Sequence, residues 1–184
     1  FQGATSLTVK NLTINVAAGL VGGIALKAGT IENVTFNGGK YAVLPGSGDV
    51  IVKDCTFNDI TGYAVYFEED RDNLEITGNT FNCADSAYAV TLRGGADFTN
   101  NTVNTGRVNL ADSASGTVSG NNFDMERFKV YNGAIATITG NTINNLVFNN
   151  ANVPQNSTFT GNTLSADAQA VLDAMNFVAQ VGDN

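Results

Sequence analysis

Apolar residues along this chain recur in a short phrase that is repeated about every twenty residues. In its clearest copy the phrase reads ITGNTFN over residues 76–82, and its first and sixth positions are apolar in every copy. Eight copies begin at residues 9, 31, 52, 76, 98, 118, 138 and 159, so the spacing lies between 20 and 24 residues. Such self-similarity indicates a repeat architecture in which each copy packs on its neighbours.

The phrase contains its own bend. Its first and sixth positions lie an odd number of residues apart, so a single straight strand would point them to opposite faces. The third position carries Gly, Asn or Asp in all copies, and these residue types enter the left-handed backbone region at least cost. Each phrase is therefore predicted to form two short strands that meet at a corner, with both apolar positions inside.

A third short strand is predicted between successive phrases, where two apolar residues flank a single position. The pairs are Ile24/Leu26, Ala42/Leu44, Val65/Phe67, Val90/Leu92, Val108/Leu110, Phe128/Val130 and Leu146/Phe148. Three strands per repeat make one coil of a β-solenoid, whose equivalent residues stack at about 4.8 Å. Since no helical period appears before residue 165, the predicted fold class is all-β: a single-stranded parallel β-helix of about eight coils over residues 1–165.

The fourth position of the phrase changes from apolar to polar along the chain. It reads Leu12, Val34 and Cys55 in the first three copies, and then Asn79, Asn101, Asn121, Asn141 and Asn162. Stacked asparagines can each donate an amide N–H to the carbonyl of the next, which satisfies polar groups that burial removes from water. We predict that these five side chains form a buried, mutually hydrogen-bonded ladder.

The two ends of the repeat region differ in sequence. Residues 166–180 have a helical pattern, with Ser165 as N-cap, Asp167 in the first turn and Gly182 beyond the end. One face of this helix gathers Ala168, Val171, Leu172, Met175 and Val178. We predict that the helix covers the last coil within the same domain, since an open strand edge invites pairing with another molecule. Nothing comparable precedes Val9, so the N-terminal end is expected to pack on another domain or protomer.

The phrase, generalised as I-x-[GN]-N-T-[FIL]-N over residues 7–165, resembles the repeat of the right-handed parallel β-helix, or pectin-lyase-like, superfamily. The resemblance implies a right-handed coil, which the right-handed crossover rule also favours. The superfamily includes polysaccharide lyases, polygalacturonases, pectin methylesterases, phage tailspikes and many cell-surface proteins. In its enzymes the substrate usually lies in a groove beside the strand that corresponds to the third strand here. The phrase is a scaffold, so activity has to be inferred from the site and not from the fold.

The predicted groove strand offers a small set of polar side chains to a ligand. Its outward residues read Ala25, Val43, Tyr66, Thr91, Asn109, Lys129 and Val147, and Glu68 and Arg93 each follow it directly. Hydroxyl and carboxylate groups of sugars could bind the predicted ligand-binding residues Tyr66, Glu68, Arg93, Asn109 and Lys129. The alternative is that Glu68 and Arg93, one coil apart, form a surface ion pair worth about 0–1 kcal/mol.

The loop at residues 68–73 is the densest cluster of charge in the chain. A Ca²⁺ ion could be held there by the carboxylates of Glu68, Glu69, Asp70 and Asp72, although their spacing is not that of an EF-hand loop. Glu68 and Asp70, with Arg93, are also the grouping that could imitate a lyase or hydrolase site. The third interpretation is a solvated loop that keeps the rod soluble. The paired aspartates and the histidine of polygalacturonases are not found, and the chain contains no His.

Composition narrows the range of partners. With 9 basic and 17 acidic side chains and a net charge of −8, the chain is not expected to bind nucleic acid, which rewards clustered Lys and Arg. No apolar run approaches the roughly 20 residues of a membrane span. Cys55 and Cys83 fall at positions too far apart to bridge, so both are expected to be free thiols. Apart from the candidate Ca²⁺, no cofactor is expected.

These features favour an extracellular or cell-surface β-helix domain of bacterial type that has no catalytic activity. Low charge, abundant Asn, Thr and Gly and the missing catalytic motif suit an adhesin, a stalk or a glycan-binding module, whose partner would be a polysaccharide or cell-surface glycan. The alternative is a polysaccharide lyase or glycoside hydrolase that acts on a groove along the helix through Glu68, Asp70 and Arg93.

Overall fold

The computed structural model of the protein describes residues 6–17, 19–149 and 156–174. This part of the chain forms a parallel β-solenoid with a short α-helix at its C-terminal end. Each strand lies beside the equivalent strand of the coil before or after it. One of the two sheets has seven strands, one for each turn, so the solenoid has about seven turns, close to the number expected.

Six of the eight phrases form two strand segments, one on either side of a corner, as the sequence predicts. The first two copies pass through the corner as single strands, β1 (Leu7–Asn15) and β3 (Gly29–Asn37). The later strands before the corner are β5 (Val50–Lys53), β8 (Leu74–Thr77), β11 (Asp97–Thr99), β14 (Thr117–Ser119), β17 (Thr137–Thr139) and β20 (Thr158–Thr160). Those after the corner are β6 (Thr56–Asn58), β9 (Thr80–Asn82), β12 (Thr102–Thr105), β15 (Asn122–Phe123), β18 (Thr142–Ile143) and β21 (Thr163–Leu164).

The third strand of each coil belongs to the seven-stranded sheet. Its members are β2 (Ile24–Leu26), β4 (Tyr41–Pro45), β7 (Tyr63–Val65), β10 (Tyr88–Leu92), β13 (Arg107–Leu110), β16 (Arg127–Val130) and β19 (Leu146–Phe148). They pair in chain order, whereas the phrase strands form the two arms of a 14-stranded sheet joined through β3. The interior of the solenoid lies between these layers.

Equivalent positions stack in register, which builds the core as continuous columns. Phe57 pairs with Phe81, and Val103 pairs with both Phe81 and Phe123. All four side chains are fully buried. The rings of Phe36, Phe57 and Phe81 stack with centroid separations of 5.1 and 4.8 Å. Residues about twenty positions apart in sequence are therefore direct neighbours in the core, as predicted.

The corner depends on a left-handed residue at the third position of the phrase. All eight copies have a positive φ there, from 52° at Asn33 to 67° at Gly78. Because Asn, Asp and Gly reach this region at the lowest cost, their recurrence reflects the backbone conformation of the turn. The turn directs both the first and the sixth position of the phrase inwards, and the prediction of a corner is confirmed.

The predicted asparagine ladder is present and buried. Its five side chains are 0–3% exposed, and each of the first four donates from Nδ2 to the Oδ1 of the next at 2.8–3.2 Å. The main-chain N–H of each of these four donates to the same oxygen. The Nδ2 group also donates to a main-chain carbonyl of the preceding coil, as from Asn121 to Phe98 at 2.9 Å. Amide groups that burial removes from water are thus paired within the column.

The third strand departs from the prediction in its second copy. Val43 is fully buried and pairs with the inward Ile24, whereas Leu44 pairs with the exposed Ala25. Ala42 and Val43 are both buried, so the alternation shifts by one residue, as in a β-bulge. Ala42 is therefore inward as predicted, whereas the predictions of an inward Leu44 and of an outward Val43 are wrong. The same double burial recurs at residues 64–65 and 89–90, but there the predicted inward residues are the right ones.

Helix α1 (Ala166–Ala174) covers the last coil and packs against β19 and β21. Ser165 Oγ accepts a hydrogen bond from the N–H of Ala168 at 3.1 Å, which confirms the predicted N-cap. Ala168 and Leu172 face the coil and are buried. The predicted face continues at Met175 and Val178, and these residues, like Gly182, lie outside the described part of the chain.

The opposite end of the solenoid and the two thiols complete the fold. Among the described residues, β1 has a single strand neighbour, β3, and its Leu12 side chain is 40% exposed. Cys55 and Cys83 are both buried, and both are free thiols, as predicted. The one helix in the described ranges is not long and apolar enough to cross a membrane.

Candidate ligand-binding site

The outer face of the seven-stranded sheet carries two columns of side chains that follow the solenoid axis. The tyrosine–arginine column is in register from coil to coil and contains Tyr41, Tyr63, Tyr88, Arg107 and Arg127. The middle column lies two or three residues further along each strand and contains Tyr66, Thr91, Asn109, Lys129 and Val147. Neighbouring strands are only about 4.8 Å apart, so the members of each column lie side by side. Tyr66 of the middle column contacts Tyr41 and Tyr63 of the other column, so the two columns meet there in one surface.

The tyrosine rings of this surface form an aromatic platform. Tyr63 and Tyr88 stack with centroids 4.7 Å apart and ring planes 11° from parallel. Tyr66 stacks on Tyr41 at 4.7 Å and contacts Tyr63 at 4.9 Å. The Arg107 guanidinium lies 6.0 Å from the centroid of Tyr88, so a cation extends the platform to the next coil.

An open cleft of about 450 Å³ lies beside the platform. Three rings, those of Tyr63, Tyr88 and Tyr131, line it together with Thr91, Arg93, Asn109 and the turn at residues 111–113. The volume falls within the range of about 300–1,000 Å³ that small-ligand sites occupy. Aromatic surface combined with a few polar groups suits a ligand that has both apolar faces and hydrogen-bonding groups.

Asn109 is the buried polar residue of this cleft. It is 5% exposed, and its Oδ1 atom has no hydrogen-bond partner among the described residues. The Nε atom of Arg93 is likewise buried and unpaired within that part of the chain. An unpaired buried polar atom costs about 1–3 kcal/mol, and native proteins rarely keep one without a reason such as a bound group. The cleft therefore contains an acceptor and a donor whose hydrogen bonding the protein leaves unsatisfied.

The hydroxyls of Tyr63 and Tyr66 keep their protons at neutral pH. Burial raises the pKa of Tyr63 above its ordinary value. The hydrogen bond that Tyr66 donates to the Glu68 carboxylate raises the pKa of Tyr66 to about 12. A protonated phenol both donates and accepts hydrogen bonds, so Tyr63 is available in either role to a neutral polar ligand.

The structure brings the five predicted ligand-binding residues to one face but places only two of them in the cleft. Arg93 and Asn109 line it. Tyr66 belongs to the platform and holds Glu68, while Lys129 Nζ lies 4.5 Å from the centroid of the Tyr131 ring. The ion pair considered for Glu68 and Arg93 is not among the ion pairs of the described residues.

The carboxylates of the loop at residues 68–73 bind separate partners. Glu69 pairs with Arg71 at 3.4 Å, and Asp70 accepts a hydrogen bond from Ser113 Oγ at 2.5 Å. Asp72 accepts one from a main-chain N–H of the next coil at 2.8 Å. Within the described ranges, no three acidic or cysteine side chains come together in a way that could hold a metal ion.

The sequence interpretation missed the tyrosine walls of the cleft. Tyr63 and Tyr88 each lie two residues before a buried valine, so strict alternation would point them inwards. The extra buried residue, Ala64 or Ala89, shifts the alternation and turns both rings outwards. The signal that could have found them is the recurrence of tyrosine at residues 41, 63 and 88, once per coil.

Comparison with known proteins identifies a family but no individual relative. The family model described as "Right handed beta helix region" matches residues 1–123 and 29–177 of the chain. These two overlapping matches together cover the solenoid and the beginning of the C-terminal segment. No curated protein and no solved structure matches the chain.

Proposed function

Since the chain belongs to the right-handed β-helix family, we propose that it is a glycan-binding module of an extracellular or cell-surface protein of bacterial type, without catalytic activity of its own. The family defines the scaffold and leaves the function to its surface. The observation that carries the proposal is the cleft that the rings of Tyr63, Tyr88 and Tyr131 line together with the polar side chains of Arg93 and Asn109.

A sugar has the two kinds of surface that this cleft complements. The C–H faces of a pyranose ring pack on aromatic rings, and its hydroxyls need both donors and acceptors. The tyrosine rings offer the apolar faces, while Arg93 offers donors and Asn109 an unpaired acceptor. The platform continues the aromatic surface along the axis from Tyr88 to Tyr41, which suits a linear oligosaccharide longer than the cleft.

The positions of the carboxylates support binding over catalysis. Glycoside hydrolases place two carboxyl groups on either side of one glycosidic bond. Asp112 is the carboxylate among the described residues that line the cleft, and its Oδ1 accepts a hydrogen bond from the N–H of Gly133 at 2.9 Å. Glu68 and Asp70, the candidates for catalysis with Arg93, are outside the lining and bonded to Tyr66 and Ser113.

A solenoid with a small fraction of charged residues suits an extracellular stalk or adhesin. Only 14% of residues are charged, and the net charge is −8, which disfavours nucleic acid and anionic membranes as partners. Glycans of cell walls and capsules are the polymers that a surface-exposed protein meets, so the localisation and the ligand class are consistent with one another.

A glycan array followed by calorimetry with the best short oligosaccharide tests the proposal. We expect Tyr131→Ala to weaken binding at least about tenfold, since it removes one aromatic wall. Tyr41→Ala is the matched control, because Tyr41 lies outside the cleft, and it should bind a disaccharide as the parent does. Absence of binding to any glycan would overturn the proposal, as would release of cleaved or unsaturated products from a bound polysaccharide.

A further inference from the structure

We infer that the cleft takes a sugar with an acetamido substituent, that is, an N-acetylated amino sugar. This inference rests on the proposed glycan binding and names the class of ligand. It follows from the unsatisfied atoms in the lining: Asn109 Oδ1 lacks a donor, and Arg93 Nε lacks an acceptor. The ligand has to supply both.

The Asn109 oxygen selects against an acidic sugar. A carboxylate is an acceptor only, so it can pair with Arg93 but leaves the Asn109 acceptor without a proton to share. It would also approach the Asp112 carboxylate, which lines the same cleft. A group that carries a donor beside its acceptor avoids both penalties.

An acetamido group carries the required atoms together. Its N–H can donate to Asn109, and its carbonyl can accept from Arg93. Its methyl group is apolar and matches the tyrosine rings that form the walls. A hydroxyl at the same ring position offers a donor and an acceptor on one oxygen, and it provides no methyl contact.

Access to the Asn109 oxygen requires a side chain to move. The oxygen is closed to bulk water in the structure. Lys129 is the register neighbour of Asn109 on the next coil, and its flexible side chain extends over the Tyr131 ring. Since the Arg93 Nε is closed to bulk water as well, the ligand has to displace a side chain to reach the two atoms, and Lys129 is the flexible neighbour from which we expect this movement.

Calorimetric titration with four matched oligosaccharides tests the inference: β-linked oligomers of N-acetylglucosamine, glucosamine, glucose and glucuronate. We expect the N-acetylated oligomer to bind at least about tenfold more tightly than the other three, the effect of leaving one buried hydrogen bond unmade. Equal or tighter binding of the glucose or glucuronate oligomer would overturn the acetamido assignment and leave glycan binding intact. Absence of binding by all four, and by every glycan on the array, would overturn both.

The variant Asn109→Leu separates hydrogen bonding from shape. Leu has a similar volume and no acceptor, so the preference for the N-acetylated oligomer should fall to within about twofold of the glucose oligomer. Circular dichroism of the variant checks that the fold is kept. A variant that is folded and retains the full preference would contradict the role given to the Asn109 oxygen.

Discussion

The Nδ2 group of Asn121 donates a hydrogen bond to the Oδ1 of Asn141 at 2.8 Å, across the boundary between two coils. The same side chain donates to the Phe98 carbonyl, and its Oδ1 accepts from both the main chain and the side chain of Asn101. One buried amide therefore joins three successive coils. The stability of the solenoid should depend on it more than on an exposed asparagine.

Replacement of this amide by an apolar group should be costly. Asn121→Leu leaves donors of Asn101 and the carbonyl of Phe98 unpaired in the core, so we expect the free energy of unfolding to fall by at least about 2–3 kcal/mol. Chemical denaturation measures this loss. Asn122→Thr is the matched control, because the adjacent Asn122 is exposed and all seven other copies of the phrase carry Thr there. Similar unfolding midpoints for the two variants would show that the ladder does not stabilise the fold.

The hydrogen bond between Tyr66 and Glu68 should be visible in the titration of the phenol. Tyr66 has its pKa raised to about 12 by the Glu68 carboxylate, so Glu68→Ala should lower it towards the ordinary value of about 10. The raised pKa means that this interaction stabilises the fold fully below about pH 10 and that the contribution is lost as the pH rises towards 12. Phenolate absorbance measured against pH, with Tyr66→Phe to assign the transition, follows the change. An unaltered titration curve in Glu68→Ala would exclude the interaction.

The two thiols should be unreactive in the folded protein. Burial raises the pKa of Cys55 to about 11 and that of Cys83 to about 12, and the thiolate is the form that reacts. We expect no reaction of the native protein with a disulfide reagent at pH 8 on the timescale of minutes. After unfolding in guanidinium, both thiols should react with the reagent immediately. Rapid modification of either thiol in the native protein would contradict the buried positions.

Gly116 and Gly140 allow the effect of close packing on stability to be separated from the effect of backbone conformation. A Cβ on Gly116 would lie 2.2 Å from the main-chain oxygen of Ala96, whereas one on Gly140 meets nothing within 4 Å. Gly140 has a φ of 63°, so Gly140→Ala should cost about 1–2 kcal/mol through its left-handed conformation alone. Gly116→Ala should cost more, by at least about 1 kcal/mol, because a main-chain atom has to move.

An asparagine in place of Gly140 provides the control for this pair. Asn100 occupies the same position of the phrase with a φ of 55°, so Gly140→Asn should be better tolerated than Gly140→Ala. Thermal unfolding ranks the three variants. The order would be refuted if Gly116→Ala proved the mildest of them.

The sequence was sufficient for features that repeat without interruption. The left-handed corner and the asparagine ladder recur at fixed positions of the phrase, so a conformation inferred for one copy applies to the same position of the next. Spacing between phrases varies, and the third strand absorbs that variation through extra buried residues such as Ala64 and Ala89. These shift the side-chain alternation by one residue, which is why Val43 was placed on the wrong face and why Tyr63 and Tyr88 were missed. Pattern alone cannot locate such a bulge, because alanine fits inside or outside.

The partners of charged surface residues could not be predicted from the sequence either. Glu68 follows Tyr66 by two residues and precedes Arg93 by about one coil, and an exposed ion pair is worth only about 0–1 kcal/mol, which is too little to decide between these partners. The structure selects the Tyr66 hydroxyl. That choice leaves Arg93 free of an ion pair among the described residues and facing the cleft, where its charge and its unpaired Nε define the proposed site.

The asparagine ladder gives the solenoid a sense of direction. Each of the first four amides donates one Nδ2 hydrogen to the next coil towards the C-terminus, so rotating an internal amide such as Asn121 by half a turn would set nitrogen against nitrogen on one side and oxygen against oxygen on the other. The main-chain N–H groups that point at the same oxygens hold all the amides in one orientation. The column therefore behaves as a single unit of one polarity, because reversal of any internal member would oppose the hydrogen bonds of both its neighbours.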